Sequence, residues 1–323
     1  MNLPAGNPSV DTPPVDTQPI IAVLGPTASG KSRLGMGLAR HFKGEIVSAD
    51  SMQVYRGMDI GTAKPTRAEQ AEIPHHMIDV VDPEADYTVA EFQSAGRGHL
   101  ADLAGRNRRA VIVGGSGLYF RSLVDPFRFP PYDRAVRDQV RAMSHEEAVA
   151  ELLASDPSAG DQLDLANPRR VGRAVEIIRL GGETPTERAK DPRLERVRGY
   201  EPEIPFVAIG LDPGDLLAER VGRRIDQMLG EGLLDEVAGL AGRLGLTASS
   251  AVGYSQLLPV VAGTCTLDEG QKATVRATMS LARKQRTFFR RDPRIRWLEW
   301  DPDPSVRESA AHRVIEEMCP WSS

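Results

Sequence analysis

The sequence predicts an α/β protein in which a parallel β-sheet is flanked by helices and interrupted by an inserted helical subdomain. Three observations support this fold class. Short apolar runs alternate with segments of helical spacing, and a glycine-rich turn separates the first run from its helix. Residues 129–199 are rich in charged residues, alanine and leucine and contain few strand candidates. Strands that alternate with helices are typical of parallel sheets.

Four strands and a long helical region are predicted in chain order. Residues 20–24 form a continuous apolar run, the pattern of a strand buried on both faces. A helix is predicted over 31–41, and further strands over 45–49, 110–113 and 206–211. Helices resume from 213 to 291, where Leu217, Val221, Ile225 and Met228 have amphipathic spacing.

Composition divides the chain of 323 residues into four segments. Residues 1–19 are rich in Pro, Asp and Thr, and we expect them to be a flexible leader. The first part of the α/β core follows at 20–128 and the inserted helical subdomain at 129–199. The second part of the core, with a basic C-terminal helix, occupies 200–323.

Cysteine usage and hydropathy indicate a cytoplasmic protein with no membrane partner. Cys265 and Cys319 lie far apart and form no CxxC pair, so the sequence predicts neither a disulfide framework nor a cysteine-built zinc site. The first residues lack the basic start and apolar run of a signal peptide, and the sequence has no uninterrupted apolar stretch of about 18 residues. We expect a monomer.

Charge is strongly segregated along the chain. The whole sequence carries −5, but residues 271–300 contain nine basic and two acidic residues, a local net charge of +7. Arg276, Arg283, Arg286 and Arg290 are spaced so that they share one face of a helix, as a phosphate backbone would require. The alternative is a solvated basic helix with no partner.

The strongest local motif matches G-x-x-x-x-G-K-[ST] directly after the first predicted strand and before a helix. In such a loop successive amide groups and the helix N-terminus surround a di- or triphosphate, the lysine adds positive charge, and the Ser32 hydroxyl ligates Mg²⁺. The motif leaves ATP, GTP and a prenyl diphosphate open as ligands. The predicted diphosphate or nucleotide site consists of Gly25, Pro26, Thr27, Ala28, Ser29, Gly30, Lys31 and Ser32.

Polar residues follow the next two predicted strands and reach the same edge of the sheet. Asp50 suits either water-mediated contact with Mg²⁺ or a general base, and the alternative is a helix cap. Ser116 lies in a glycine loop that admits a substrate or is simply a tight turn. Thr27 donates to a diphosphate oxygen or stabilises its turn. The loop pair His75 and His76 is interpreted as structural or substrate-lining.

Several ordered motifs resemble the tRNA dimethylallyltransferases, isopentenyltransferases that act on N6 of an adenosine next to the anticodon. The resemblance covers about residues 20–300. It rests on residues 50–65 (DSMQVYRGMDIGTAKP), 74–79, 113–119, 167–176, 217–228, 232–237 and 251–256.

The resemblance implies a function and a set of site residues. The family transfers a dimethylallyl group from dimethylallyl diphosphate to the adenosine immediately 3′ of the anticodon in tRNAs that read codons beginning with U, and releases pyrophosphate. Asp50 would be the general base, with Thr27 and Arg224 on the diphosphate. Contacts with the tRNA anticodon stem-loop are expected at Asp50, Ser51, Met52, Gln53, Ser116, Arg137, Arg169, Arg170, Arg173, Arg283, Lys284 and Gln285.

Three positions depart from the family pattern. Serine replaces the usual threonine at Ser116, arginine replaces glutamine at Arg169, and the segment before Arg283 lacks an expected arginine and glutamine. The main rival from another class is a small-molecule or nucleotide kinase, in which Asp50 activates a hydroxyl. A third alternative is a regulatory ATPase-type module. It would need a second apolar run that ends in aspartate, which this sequence lacks.

Overall fold

The computed structural model describes residues 19–318, so the predicted leader lies almost wholly outside the described residues, as does Cys319. Contacts divide the chain into two units. The first contains the described residues before and including Phe120 and those from Pro205 onward, and the second is Arg121–Ile204. None of the helices within 19–318 combines the length and the apolar character that crossing a membrane requires.

A six-stranded parallel sheet forms the centre of the first unit, with strand order β3-β2-β4-β1-β5-β6. All five strand pairs are parallel, and β1 lies between β4 and β5. The strands are β1 (Ile20–Leu24), β2 (Glu45–Ser48), β3 (His75–His76), β4 (Ala110–Gly114), β5 (Phe206–Gly210) and β6 (Ile295–Trp297).

The four predicted strands are confirmed to within one residue at each end, and β3 and β6 were not predicted. The expectation that His75 and His76 lie in a loop is wrong, because they form a short edge strand beside β2. The helices that begin in this unit are α1 (Lys31–His41), α2 (Arg67–Glu72), α3 (Val89–Gly105), α4 (Gly117–Val124), α10 (Leu217–Gly230), α11 (Leu233–Leu240), α12 (Tyr254–Val261), α13 (Leu267–Arg290) and α14 (Pro304–Met318).

The interior of the first unit explains where the glycine-rich loop lies. Every residue of β1 is buried, as the apolar run predicts. The loop that follows β1 therefore emerges at the carboxyl edge in the middle of the sheet, where parallel α/β proteins bind ligands. Ala28 of this loop packs with Val221 and Ile225 of α10 and Ala282 of α13, which fixes both helices beside the loop.

The second unit is helical and has a core of its own. Val140, Leu152, Val171 and Val175 are among the buried residues of this core, which joins the first three helices of the unit. Its helices are α5 (Arg134–Arg141), α6 (His145–Ser155), α7 (Pro168–Arg179), α8 (Pro185–Arg188) and α9 (Arg193–Arg198).

Candidate active site

The loop between β1 and α1 has the backbone that phosphate binding requires. Gly30 has φ +95° and precedes Lys31, the first residue of α1. A Cβ on Gly25 would lie 2.2 Å from the carbonyl oxygen of Leu211, so the close approach of these segments excludes any larger residue. The N-terminus of α1, with its unpaired amide groups, borders the adjoining cavity, because Lys31 and Ser32 line it.

One cavity of about 340 Å³ brings together much of the predicted site. The glycine-rich loop and α1 supply one wall, the segment after β2 a second, and α10 and α13 a third. The predicted residues that line it are Thr27, Lys31, Ser32, Asp50, Met52, Gln53, Arg224 and Gln285. Four sequence-distant segments thus converge on one space.

Lys31 and Arg224 place two positive charges at the cavity. Burial and the positive charge of Arg224 lower the pKa of Lys31 to about 8, although Asp50 opposes this change. Burial also lowers the pKa of Arg224, again against Asp50. Within residues 19–318, Arg224 has no hydrogen bond or ion pair, and the Lys31 ammonium donates only to the carbonyl of Pro26 at 3.2 Å. Two half-buried cations without a bound carboxylate favour an anionic ligand.

Asp50 and Ser116 lie on neighbouring loops at the same sheet edge. One Asp50 carboxylate oxygen, Oδ1, accepts a hydrogen bond from the backbone N–H of Met52 at 2.9 Å. The Ser116 hydroxyl accepts from the backbone N–H of Ser51 at 3.2 Å, which ties the glycine loop after β4 to the loop after β2. Within the described residues the other Asp50 oxygen, Oδ2, has no hydrogen-bond partner, so it is available to a substrate or an ion.

The two glutamines of the predicted tRNA site both brace loops. Gln53 accepts from the Ser48 hydroxyl at 2.7 Å and donates to the carbonyls of Thr62 and Ala63. Gln285 accepts from the backbone N–H of Thr27 at 2.9 Å and so connects α13 to the phosphate loop. These contacts give both side chains a structural role, and their contact with tRNA stays a prediction.

An apolar wall completes the cavity. The sequence alone did not locate this wall. Met36 of α1, Ile46 of β2 and Leu281 of α13 line it. They are joined by Val221, Ile225 and Met228 of α10. Helical spacing predicted these α10 residues as a buried face, and the structure shows that the same face borders the cavity.

Glu236, to which the sequence assigned no role, organises the loop after β2. Its carboxylate accepts three backbone N–H groups, those of Asp59 at 2.9 Å, Ile60 at 2.8 Å and Gly61 at 3.0 Å. The Tyr254 hydroxyl donates to the same carboxylate at 2.5 Å. A Cβ on Gly61 would lie 2.5 Å from the Tyr254 ring. Three of the motifs that carry the resemblance therefore meet at one carboxylate. Sequence reasoning missed the role of Glu236, although Glu236 lies within one of these motifs.

Lys64 fixes the other end of the same loop. Its ammonium group donates to the carbonyl of Tyr55 and to the carboxylates of Asp59 and Asp79, at 2.6 to 2.7 Å. Its side chain is 3% exposed. The loop residues 63–65 line both the main cavity and a second one of about 530 Å³ that also contacts Arg224. Glu236 and Lys64 thus hold a segment that shapes the site.

The basic face of α13 is only partly free. Arg286 and Arg290 both pair with Asp212, at 2.6 and 3.3 Å, and the Arg290 guanidinium also lies 4.3 Å from the centre of the Trp297 ring. The carboxylate of Asp212, from the loop after β5, offsets only part of their combined charge, so the contact of Arg286 and Arg290 with a phosphate backbone stays a prediction. Arg283 and Lys284 are exposed and have no ion pair within residues 19–318.

The four arginines predicted to contact tRNA in the second unit lie in two environments. Arg169 and Arg170 are exposed in the first turn of α7 and have no ion pair among the described residues. Arg173 pairs with Glu176 at 2.9 Å. The Arg137 guanidinium lies 5.2 Å from the centre of the Tyr132 ring. The contact of these four arginines with tRNA stays a prediction.

His75 and His76 both bind protein atoms. A ring nitrogen of His75 lies 2.7 Å from the carbonyl oxygen of Ile73, and His75 lines the main cavity. His76 contacts the Glu45 carboxylate at 2.7 Å. Arg106 also binds this carboxylate, and hydrogen bonds from Arg106 and His76 lower the pKa of Glu45 to about 2 against its burial. No cluster of three metal-ligating side chains occurs in the part of the chain described.

Comparisons with known proteins identify the family. The profile described as IPP transferase matches residues 53–292. The chain is 45% identical over 291 residues to the tRNA dimethylallyltransferase of Streptomyces avermitilis, a match that covers 86% of this chain and 89% of that protein. The chain belongs to the IPP transferase family. It is also 43% identical over 293 residues to the tRNA dimethylallyltransferase of Bifidobacterium longum, covering 88% of this chain and 87% of that protein.

Solved structures of IPP transferases confirm the predicted fold class. The full-length tRNA isopentenylpyrophosphate transferase of Bacillus halodurans is 33% identical and superposes with a TM-score of 0.67, covering 93% of this chain and 96% of that one. The corresponding enzyme of Staphylococcus epidermidis is 30% identical with a TM-score of 0.68, covering 94% and 100%. The chain therefore has the P-loop NTPase-like parallel sheet flanked by helices that the sequence predicts.

Proposed function

We propose that this chain transfers a dimethylallyl group from dimethylallyl diphosphate to N6 of the adenosine immediately 3′ of the anticodon, in tRNAs that read codons beginning with U. The bond from N6 to the allylic carbon forms, the bond from that carbon to the diphosphate oxygen breaks, and pyrophosphate leaves. The N6 proton passes to Asp50. The observation that carries this proposal is a pair of cations without a bound carboxylate, Lys31 and Arg224, near Asp50 in a cavity with an apolar wall.

The diphosphate would occupy the cationic side of the cavity. Amide groups at the N-terminus of α1, Lys31 and Arg224 are preorganised donors for the charge that develops on pyrophosphate as it leaves. Thr27 lines the same space, so its hydroxyl is available to a diphosphate oxygen. The apolar wall formed by Met36, Ile225 and their neighbours supplies a dry surface for the isoprenoid chain.

Asp50 would act as the general base. The exocyclic amine of adenine is a poor nucleophile, so its proton must leave as the new bond forms. The Asp50 carboxylate lines the cavity, and one of its oxygens has no partner within the described residues. The hydrogen bond from Met52 to the other oxygen holds the carboxylate in one orientation.

The oxygen donors at this edge fit a Mg²⁺ ion. Ser32 is exposed with no hydrogen-bond partner among residues 19–318, and it lines the same cavity as Asp50. Mg²⁺ prefers oxygen ligands and commonly binds one or two protein groups together with substrate phosphates. We propose that Ser32 holds the ion together with oxygens of the bound diphosphate, and that the ion would neutralise charge on the leaving group.

The tRNA anticodon stem-loop would bind exposed cationic side chains. Arg283 and Lys284 in the first unit and Arg169 and Arg170 in the second are free of ion pairs among the described residues. Such side chains suit the phosphate backbone, which positions a nucleic acid without reading its sequence. We further propose that the enzyme acts as a monomer in the cytoplasm, and sedimentation of the enzyme with and without tRNA tests the first point.

Single-turnover prenylation of an anticodon stem-loop by Asp50→Asn tests the mechanism. Asn keeps the shape of the side chain but cannot accept the proton, so the rate constant should fall by about 10² to 10⁴, the usual contribution of a positioned base. The affinity for dimethylallyl diphosphate should be unchanged or tighter, because a negative charge near Lys31 and Arg224 is removed. A rate constant close to that of the wild type would refute the general-base role.

Two controls separate the alternatives. If high Mg²⁺ restored the rate constant of Asp50→Asn, Asp50 would be a Mg²⁺ ligand and not the general base. Labelled dimethylallyl diphosphate and labelled ATP, each with and without unmodified tRNA, distinguish prenyl transfer from phosphoryl transfer. Transfer of label from ATP to an acceptor in place of prenyl transfer would refute the proposed function and favour the kinase alternative.

A further inference from the structure

A small cavity within the second unit combines apolar walls with arginines. Its volume is about 200 Å³, below the roughly 300 to 1,000 Å³ of pockets for drug-sized ligands, so it can enclose only part of a ligand of that size. Phe127, Phe129, Ile177 and Leu194 line it, together with three prolines. Nothing in the main site requires these residues, which all belong to Arg121–Ile204.

One arginine at this cavity has no carboxylate partner. Three neighbouring arginines each pair with a carboxylate within 3.3 Å, whereas Arg188 has no ion pair in the described part of the chain. Among the residues that the structure describes, its only hydrogen bond is a long one, 3.5 Å, to the carbonyl of Arg128. The three compensated pairs are Arg128 with Glu183, Arg173 with Glu176, and Arg193 with Asp191.

The surroundings of Arg188 favour a bound anion. Its side chain is half-buried, and burial together with the positive charge of Arg173 lowers its pKa. The carboxylates of Glu183 and Asp191 line the same cavity but offset this cost only in part, because each is already paired with another arginine. An arginine fork presents several donors in fixed geometry, which suits the oxygens of a phosphate group.

Two stacked aromatic rings line the same cavity. The rings of Phe127 and Phe129 are nearly parallel, with planes 11° apart and centres 5.7 Å apart. The guanidinium of Arg121 lies 5.3 Å from the centre of the Phe127 ring. Proteins that bind single-stranded nucleic acids combine aromatic rings, on which bases stack, with basic groups for the backbone.

We propose that this cavity binds one unpaired nucleotide of the RNA substrate, with its phosphate on Arg188 and its base against Phe127 and Phe129. The inference rests on the proposed function, since the RNA is the tRNA that the main site modifies. It adds a specific site in the second unit to the exposed cations already described, and the site is distinguished from them by its apolar walls.

The test compares Arg188→Gln with Lys190→Gln in the full-length enzyme, using an anticodon stem-loop RNA as the probe. Lys190 is exposed and has no ion pair within residues 19–318, so its replacement removes the same charge close by in the chain but outside the cavity. Arg188→Gln should weaken binding and reduce the slope of log affinity against log salt by about one. KM for the RNA should rise with kcat little changed, and the affinity for dimethylallyl diphosphate should match the wild type.

Phe129→Leu provides an independent arm of the test. Loss of the aromatic ring should weaken RNA binding about 5- to 150-fold, the range for one stacked base, and should leave the salt slope unchanged. Arg188→Lys should keep the salt slope while restoring only part of the affinity, because lysine keeps the charge but not the fork. Circular dichroism and thermal unfolding confirm that each variant is folded.

Equal behaviour of Arg188→Gln and Lys190→Gln would overturn the proposal, because the effect would then be that of any positive charge. Unchanged RNA affinity in Phe129→Leu would overturn the stacking part of it. If the wild type prenylates tRNA but the variants give these contradicting results, only the nucleotide site is refuted. If the wild type neither binds nor prenylates tRNA, the proposed function fails together with it.

Discussion

Replacing Glu236 with Gln should disorder the loop at residues 59–61 and slow prenyl transfer. One carboxylate oxygen accepts the N–H groups of Asp59 and Ile60, and the other accepts Gly61 and the Tyr254 hydroxyl. A Gln amide fits best with its oxygen toward the N–H groups of Asp59 and Ile60. Its NH₂ group then points toward the Tyr254 hydroxyl, which can accept a hydrogen bond, and toward the N–H of Gly61, which cannot.

The cost follows from these contacts. Two bonds, to Asp59 and Ile60, change from charge-assisted to neutral and lose about 1 kcal/mol each, and the N–H of Gly61 loses its acceptor for a further 1–3 kcal/mol or so. Glu236 is half-buried, so water compensates in part and we expect a total of about 2–4 kcal/mol. Tyr254→Phe removes a single bond to the carboxylate and should cost about 1.5–2 kcal/mol.

The assay combines amide hydrogen exchange with kinetics. Exchange of the amides at 59–61 should accelerate by the factor that the local free energy gives, about 30-fold or more for 2 kcal/mol. The ratio kcat/KM for prenylation should fall with it, because residues 61–65 line the cavity. Asp235→Asn is the matched control, since Asp235 is exposed and has no hydrogen bond or ion pair among the described residues. If the amides at 59–61 of Glu236→Gln exchanged at the same rate as in the wild type, the reasoning would be refuted.

Three further outcomes are expected. Lys31 must be protonated to attract a diphosphate, so affinity for dimethylallyl diphosphate should be level below pH 8 and fall about tenfold per pH unit above it; calorimetric titration should show this fall in the wild type and its absence in Lys31→Arg. Arg286→Gln should lower the free energy of unfolding by about 1–2 kcal/mol through loss of its bond to Asp212, whereas Arg283→Gln should leave thermal stability unchanged and reduce the salt slope of tRNA binding by about one. Gly61→Ala should lower kcat/KM and destabilise the protein by about 1–3 kcal/mol in thermal unfolding, because its Cβ meets an aromatic ring.

Local patterns in the sequence were sufficient for the main elements of the fold. The apolar run at 20–24 and the glycine motif predict β1 and the start of α1, which the structure places at Ile20–Leu24 and Lys31–His41. The edge strands β3 and β6 contain two and three residues, and each pairs with a single neighbour. Such short segments have no repeating apolar pattern, so only pairing with an already formed sheet defines them.

The gathering of Thr27, Lys31, Ser32 and Asp50 was predictable for a geometric reason. Each follows a parallel strand, and the carboxyl ends of parallel strands lie at one edge of a sheet. The apolar wall was not predictable, because a buried stripe on α10 looks the same in sequence whether it faces a packed core or a cavity.

The sequence by itself determined the four longer strands, the phosphate loop with the helix after it, and the buried face of α10, because these depend on residues a few positions apart. Only the tertiary structure decided which side chains share a partner. Arg286 pairs with Asp212 across 74 residues of sequence, and Gln285 accepts a hydrogen bond from Thr27 across 258. Side chains predicted to contact phosphate or tRNA thus also have partners within the protein. Helical spacing records which way a side chain points, whereas its partner is set by how distant elements pack.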